Sequence, residues 1–280
     1  MAKTKIKGTT QNPLNTEMPN YMVYVFSGLE RVAVWLIAFA IGGLVGQIFY
    51  SGLFKTSDGT DTLATHISNA VFFVIVGGIA ARFLVPLYRQ RCLSKQRVKL
   101  QKQFLSLLDS LSASFASGSN VSKSFENAHS DLKMQYTERD FIVREANEIL
   151  DGVAQNVSIE LILEDFGKRS GNENIISFAE VFATCYQRGG DMQSVIMRTN
   201  DSIREKIMIQ DEIETKLTSN KMQLNVMSLM PIIVVGMLRM TNPSFAEAFA
   251  TPMGVIVNTI AIGIFIGAYK YGQKVVAIKG

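Results

Sequence analysis

Charge is scarce in this 280-residue sequence: 19% of it is Asp, Glu, Lys or Arg, against 48% hydrophobic residues. A soluble globular chain carries about 25% charged residues, so the deficit points to membrane segments beside a polar part. The mean hydropathy of +0.18 agrees. Cysteine is nearly absent. Cys92 and Cys185 alone cannot build a disulfide framework, and they read as free thiols in a reducing compartment. Proline is missing from residue 87 to residue 230, and no stretch alternates apolar and polar residues for long. A collagen-like chain, a disordered chain and a disulfide scaffold are all excluded.

What is present begins with four apolar runs in two pairs. The first covers Val32 to Phe54 and the second Ile67 to Tyr88, with Arg82 near its end. At 1.5 Å per residue each is long enough for a hydrocarbon core of roughly 30 Å. The fourth, Gly254 to Tyr269, is uncharged. The third, Leu224 to Leu238, is shorter and contains Pro231, so by length it reads as either a span or a buried or re-entrant segment. Met222 and Met240 extend it, and Arg239 at its end can snorkel to the interface. About thirty residues precede the first run, too many for the n-region of a signal peptide, so that run is read as a retained span.

The Lys and Arg residues orient these runs. Lys3, Lys5, Lys7 and Arg31 precede the first run, Arg89, Arg91, Lys95, Arg97, Lys99 and Lys102 follow the second, and Lys270, Lys274 and Lys279 follow the fourth. The loops Ser51 to His66 and Thr241 to Met253 hold only Lys55. Thirteen basic residues against one place both termini and the middle of the chain in the cytoplasm. The stretch Arg89 to Lys102 reads as a topological anchor against anionic lipid headgroups. No aromatic residues interleave with its charges as a nucleic-acid platform needs, so no nucleic-acid partner is expected.

Residues 89–222 lie between the pairs, and their period is helical. Phe104, Leu107, Leu108, Leu111 and Phe115 form one stripe, and Gly118 ends it. Asn120 or Ser122 caps the next helix. Thr137 and Asp140 resemble a capping box ahead of Phe141, and Gly152 is expected to break that helix. Another helix covers Ile159 to Phe166 and closes at Ser170-Gly171. The next, Ile175 to Tyr186, closes at Gly189-Gly190, with Gly190 expected at positive φ. Asp191 caps a last, long helix that runs on into the third apolar run. The fold class is therefore all-α: an integral membrane protein with four transmembrane helices in two pairs around a cytoplasmic domain of about six helices. By residue number this gives a leader over 1–30, span pairs over 31–88 and 223–272, the helical domain over 89–222, and a tail over 273–280.

Chemistry is hard to find. His66 and His129 are far apart, and no His, Cys, Asp or Glu cluster has metal-ligand spacing. There is no P-loop and no Gly-x-Ser-x-Gly elbow. Asp211, Glu212 and Glu214 read as a solvated helix face paired with Lys206 and Lys216. The methionines of the third run read as adaptable packing. No catalytic residue, cofactor or metal is expected, the chain is not read as an enzyme, and any energy for work must come from a partner. Small residues carry more information. Gly42 to Gly46 and Gly263 to Gly267 are both Gly-x-x-x-Gly, a spacing that lets helices approach closely in lipid, within or between subunits.

Two spans, a helical block and two more spans is the plan of the platform proteins of type II secretion and type IV pili, and the motifs follow in order. Phe104-Leu-Ser-Leu-Leu-Asp-Ser-Leu111 leads to a turn at Ser117-Gly118 and a short helix through Phe125. Later come Arg188-Gly-Gly-Asp191, Ser202-Ile-Arg204, Asp211-Glu-Ile-Glu214, Lys221 and Leu229-Met-Pro231. Over about residues 30–275 the chain resembles the single-domain branch of that family found in the tight-adherence (Flp) pilus. The resemblance implies an inner-membrane platform whose cytoplasmic domain docks on a hexameric secretion ATPase. The ATPase would drive the platform to lift pilin subunits from the bilayer. It implies as partners the ATPase, pilin subunits and a second single-domain platform protein or a second copy. Gly118, Gly189, Gly190, Arg204, Glu212, Glu214 and Pro231 become the candidates for partner binding or force transmission. Residues before Glu30 match no part of the family and read as a flexible leader with an amphipathic turn at Tyr21 to Phe26. The alternative from another class is a membrane scaffold or sensor with a helical interaction domain. A membrane-embedded enzyme would need paired catalytic residues near the bilayer, and the runs offer none.

Overall fold

The structure, a computed structural model, describes residues 8–52 and 63–278, with the side chains of residues 214, 219 and 276–278 outside that set. Most of the expected loop from Ser51 to His66 is therefore outside the described residues. The described residues form a two-stranded antiparallel hairpin, β1 (Thr9–Gln11) and β2 (Glu17–Pro19), followed by helices. These are α1 (Gly28–Tyr50), α2 (Leu63–Ala116), α3 (Val121–Gln135), α4 (Phe141–Ala154), α5 (Ile159–Ser170), α6 (Glu173–Arg188), α7 (Met192–Thr241), α8 (Pro243–Phe249) and α9 (Pro252–Ile278). The chain divides into two compact units: Met1–Val25 with Arg89–Ile209, the helical unit, and Phe26–Tyr88 with Gln210–Gly280, the apolar unit.

The helical unit is built from six helical segments, the later part of α2, α3 to α6 and the first part of α7. The stripe read from the sequence is its spine. Phe104, Leu107, Leu108 and Leu111 of α2 are fully buried with Phe125 and Leu132 of α3, Ile142 of α4, Phe166 of α5 and Phe178 and Phe182 of α6. Five of the phenylalanines interlock edge to face or tilted, Phe104 on Phe166 and Phe178, and Phe182 on Phe125 and Phe178. Local chemistry sets the ends. Gly118 takes φ +82 after α2. The Asn120 side chain accepts from the Lys123 amide at 2.9 Å, and Asp191 accepts from the Ser194 amide at 3.1 Å.

Several expectations are corrected. Gly189, not Gly190, closes α6 in the left-handed region, at φ +67. Gly190 has an ordinary backbone, but a Cβ there would sit 2.6 Å from Cys185 Sγ. Gly152 does not end α4. It lies inside the helix, and a Cβ there would run into Ile162 Cδ1, so it lets α4 and α5 approach. Asp140 is the residue before α4, and its carboxylate turns back to accept from the Thr137 amide and hydroxyl at 3.1 and 2.9 Å. The leader is not a free extension: its described residues up to Val25 belong to the helical unit, where Tyr21 is completely buried, and those from Phe26 on belong to the apolar unit.

In the apolar unit the usual pattern of burial is inverted. Ala38, Gly42, Gly43 and Gly46 of α1 and Thr65 and Ala81 of α2 are buried, whereas Leu36, Ile37, Ile41, Leu44, Val74 and Ile79 face outward. Such a surface suits lipid, where small residues bring backbones together. Four helices, α1, α2, α7 and α9, are long and apolar enough to cross a membrane. The second and third runs do not stop at their polar flanks. α2 continues through Pro86 into the spine of the helical unit, and α7 runs unbroken through Pro231 to Thr241. Proline removes one backbone donor, a loss that helix packing in a membrane tolerates. The Thr241 to Met253 segment holds α8, capped by Asn242, whose side chain accepts from the Phe245 amide at 3.2 Å with Pro243 in the first turn.

Candidate functional site

Two polar clusters stand out, one in each unit. The first lies under the hairpin. Glu145 and Glu148 sit three residues apart on α4, on the same face as the buried Ile142 and Ile149. Two carboxylates on an apolar face require partners. Arg169 of α5 supplies them for Glu145 in a bidentate pair, Nη1 to Oε1 and Nη2 to Oε2, both at 2.7 Å. The side chains are 4% and 1% exposed. Arg169 Nε donates to Asp165 at 2.6 Å, and Nη1 also reaches the Pro19 carbonyl at 3.3 Å.

The N-terminal residues complete this cluster. The Tyr21 hydroxyl donates to Glu145 Oε1 at 2.6 Å, and its amide donates to the Arg169 carbonyl at 3.0 Å. The Asn12 side-chain Nδ2 and the Thr16 hydroxyl both donate to Glu148. Asn12 Oδ1 accepts from the Leu14 and Thr16 amides at 3.1 and 2.9 Å, which closes the hairpin turn. Burial pushes the Tyr21 phenol well above its usual range, and the Glu145 charge and hydrogen bond add to this. Burial pulls the Arg169 guanidinium down, but the hydrogen bonds and charges of Glu145 and Asp165 outweigh it and leave it raised. Beside α4, Lys99 at 2.6 Å is the first cause, then Thr137, holding the Asp140 carboxyl far below its ordinary range.

The second cluster is at the C-terminal end of α1. Helices leave their last carbonyls without partners. Here Arg239 of α7 donates to the Ile48 carbonyl and, at 2.5 Å, to that of Ser51, and its guanidinium stacks 5.5 Å from the Phe249 ring centre. Asn258 of α9 donates to the Phe49 carbonyl at 2.9 Å. Asn69 of α2 accepts from the Gly52 amide at 3.1 Å. All four long apolar helices meet at this node, so Arg239 is engaged by backbone rather than snorkelling free. The node also shows how a short third run is held in register with the first.

The residues nominated from the sequence are scattered rather than gathered. Arg204 pairs with Asp109 at 2.6 Å on the half-exposed flank of α2 and α7, where Asn200 also reaches Asp109 at 2.8 Å. Glu212 makes an exposed pair with Lys216 one turn on, as a solvated face does. The Glu214 side chain is outside the described residues. Gly190 borders an open apolar groove of about 370 Å³ with Glu180, Val181, Thr184, Cys185 and Arg188. Of the two Gly-x-x-x-Gly motifs, the first is used: a Cβ at Gly42 would collide with Ala80 and lie 3.2 Å from Gly77 Cα, and one at Gly46 would lie 2.9 Å from Val76. At Gly263 and Gly267 a Cβ would meet nothing within 4 Å. Among the described residues no group of His, Cys, Asp and Glu could hold a metal.

Sequence reading missed Tyr21, Glu145, Glu148 and Arg169. The signal was available in part, because Glu145 and Glu148 interrupt the apolar stripe of α4 at core positions. Nothing local, however, pairs them with a segment more than a hundred residues away.

The model of the family described as "Type II secretion system (T2SS), protein F" matches residues 96–239, just over half of the chain. No curated protein and no solved structure matches.

Proposed function

Because the chain belongs to the type II secretion system protein F family, we propose that it is the platform through which a cytoplasmic secretion ATPase drives assembly of a tight-adherence-like pilus. Membership and the four apolar helices make it a multi-pass inner-membrane protein of a type II secretion or type IV pilus machine. In this reading the helical unit is cytoplasmic and docks on a hexameric ATPase. Pilin subunits contact the apolar unit, and a second single-domain platform protein or a second copy completes the assembly. The chain hydrolyses no nucleotide itself.

The observation that carries the reading is α7. It is one helix of 50 residues, and the boundary between the two units falls inside it, between Ile209 and Gln210. A helix hydrogen-bonded throughout moves as a rod, so displacement of the helical unit reaches the third apolar run without a joint. Ile209→Pro tests this. It removes one backbone bond and clashes with the preceding turn, at a local cost of about 3 kcal/mol or more. The variant keeps every apolar run and flanking charge, so it is expected at the parental level in the membrane with no pilin at the cell surface. Normal surface pilin with Ile209→Pro at full level refutes transmission through α7. A strain lacking the chain that still assembles pili refutes the platform reading and leaves the scaffold or sensor alternative.

A further inference from the structure

The spans are not joined to the helical unit in the same way. α2 and α7 are each continuous from an apolar run into that unit. α1 begins at Gly28 with no helix leading into it; what precedes it is the hairpin and the short link Tyr21 to Ser27. This link is fixed at several points. Asn12 and Thr16 hold the hairpin turn on Glu148. Tyr21 is buried against the rings of Phe141 and Phe166 and bonded by both its amide and its hydroxyl to the Arg169 and Glu145 pair. The Tyr24 carbonyl accepts from Arg89 Nε of α2 at 3.1 Å. In the apolar unit Phe26 stacks on Tyr88 with ring centres 6.1 Å apart.

We propose that residues 8–25 are a coupling strap: the hairpin and Tyr21 grip α4 and α5, and the link to Gly28 delivers movement of that face to the first span. This rests on the platform reading and adds to it a second route of force, with Tyr21, Glu145, Glu148 and Arg169 as positioning residues. The grip is firm because release would strand a buried carboxylate and guanidinium without their tyrosine and carbonyl partners. The link is short. Seven residue steps from Tyr21 to Gly28 reach at most roughly 25 Å when fully extended, so it cannot absorb a large excursion of α4 and α5. The first span thereby gains the connection that the second and third already have through helices.

Slack separates a mechanical role from a packing role. Inserting about twelve Gly and Ser residues between Val25 and Phe26 adds roughly 20 Å of r.m.s. reach and leaves the hairpin and its seat untouched. The same insertion between Lys7 and Gly8 is the control, since it lies ahead of the grip. Both full-length variants, in membranes of a strain lacking the parental chain, are expected at the parental level. In both, hydrogen exchange at the Tyr21 amide is expected to stay as slow as in the parent. Surface pilin is expected to be lost with the insertion after Val25 and kept with the control. Parental amounts of surface pilin with the slack link overturn the strap, and so does equal loss in both variants. A Tyr21 amide that exchanges at the rate of an unstructured residue in the parent overturns the grip. Pili in the strain without the chain overturn the platform reading itself and take the strap with it.

Discussion

At Arg169 every face of the guanidinium is occupied: two nitrogens on Glu145, the third on Asp165, and a carbonyl of the hairpin alongside. A buried ion pair of this kind is weak evidence for net stability, because desolvation offsets the attraction. Losing one partner is another matter. Arg169→Leu leaves Glu145 charged in a site where it is 1% exposed, and should destabilise the purified chain by about 3–5 kcal/mol. Glu145→Leu combined with Arg169→Leu should recover much of that loss, because no unpaired charge remains on that axis. Denaturant unfolding of the parent, both single variants and the double variant closes the cycle. A coupling energy near zero would show that the pair is not a unit. Tyr21 belongs to the same cycle, since its hydroxyl shares Glu145 Oε1 with Arg169.

Elements pack by small residues in the apolar unit and by large ones in the helical unit, and substitution should separate them. Gly42→Leu places a branched side chain where even a Cβ collides with Ala80, with the Gly77 backbone beside it. Overpacking costs about 1–3 kcal/mol, so Gly42→Leu should lower the thermal midpoint in detergent. Gly263→Leu adds the same volume to a face that meets nothing within 4 Å, and should leave the midpoint unchanged. Equal shifts for the two would mean that the second motif is packed after all. From the sequence alone the motifs were indistinguishable, because spacing shows which residues share a face and not what lies opposite. Caps were legible for the converse reason: Asn120, Gly171 and Asp191 act on backbone within a few residues of themselves, and at the Gly189-Gly190 pair only the choice between the two glycines went astray. The continuity of α2 was less so. At Arg89 the composition changes from apolar to basic and the two units divide, yet the helix continues, because a change of composition need not end a helix. The hairpin was invisible because strands of three residues are too short to alternate, and what holds it is Glu148 on α4.

At the scale of the whole molecule the remaining question is which side of the membrane each part occupies. The charges argue it. Thirteen Lys and Arg stand in the three segments expected on the cytoplasmic side, and one stands in the two connecting loops. The structure offers an exposed probe position for each expected side: Ser130 on α3 of the helical unit, and Ser244 on α8, between the third and fourth apolar runs. In a chain with Cys92 and Cys185 replaced by serine, Ser244→Cys should react with a membrane-impermeant maleimide applied to the outer face of the inner membrane. Ser130→Cys should react only after the membrane is opened. The converse pattern would invert the topology and remove the helical unit from any cytoplasmic ATPase. Labelling of both in sealed membranes would mean that the third run does not cross. The end of α7 makes that last outcome unfavourable. For Arg239 to cap the carbonyls of Ile48 and Ser51, the end of α7 must lie at the same depth as the end of α1. The helix that reaches that depth is long and apolar enough to cross the bilayer, so α7 is expected to cross wherever α1 does, even though the run itself is short by composition.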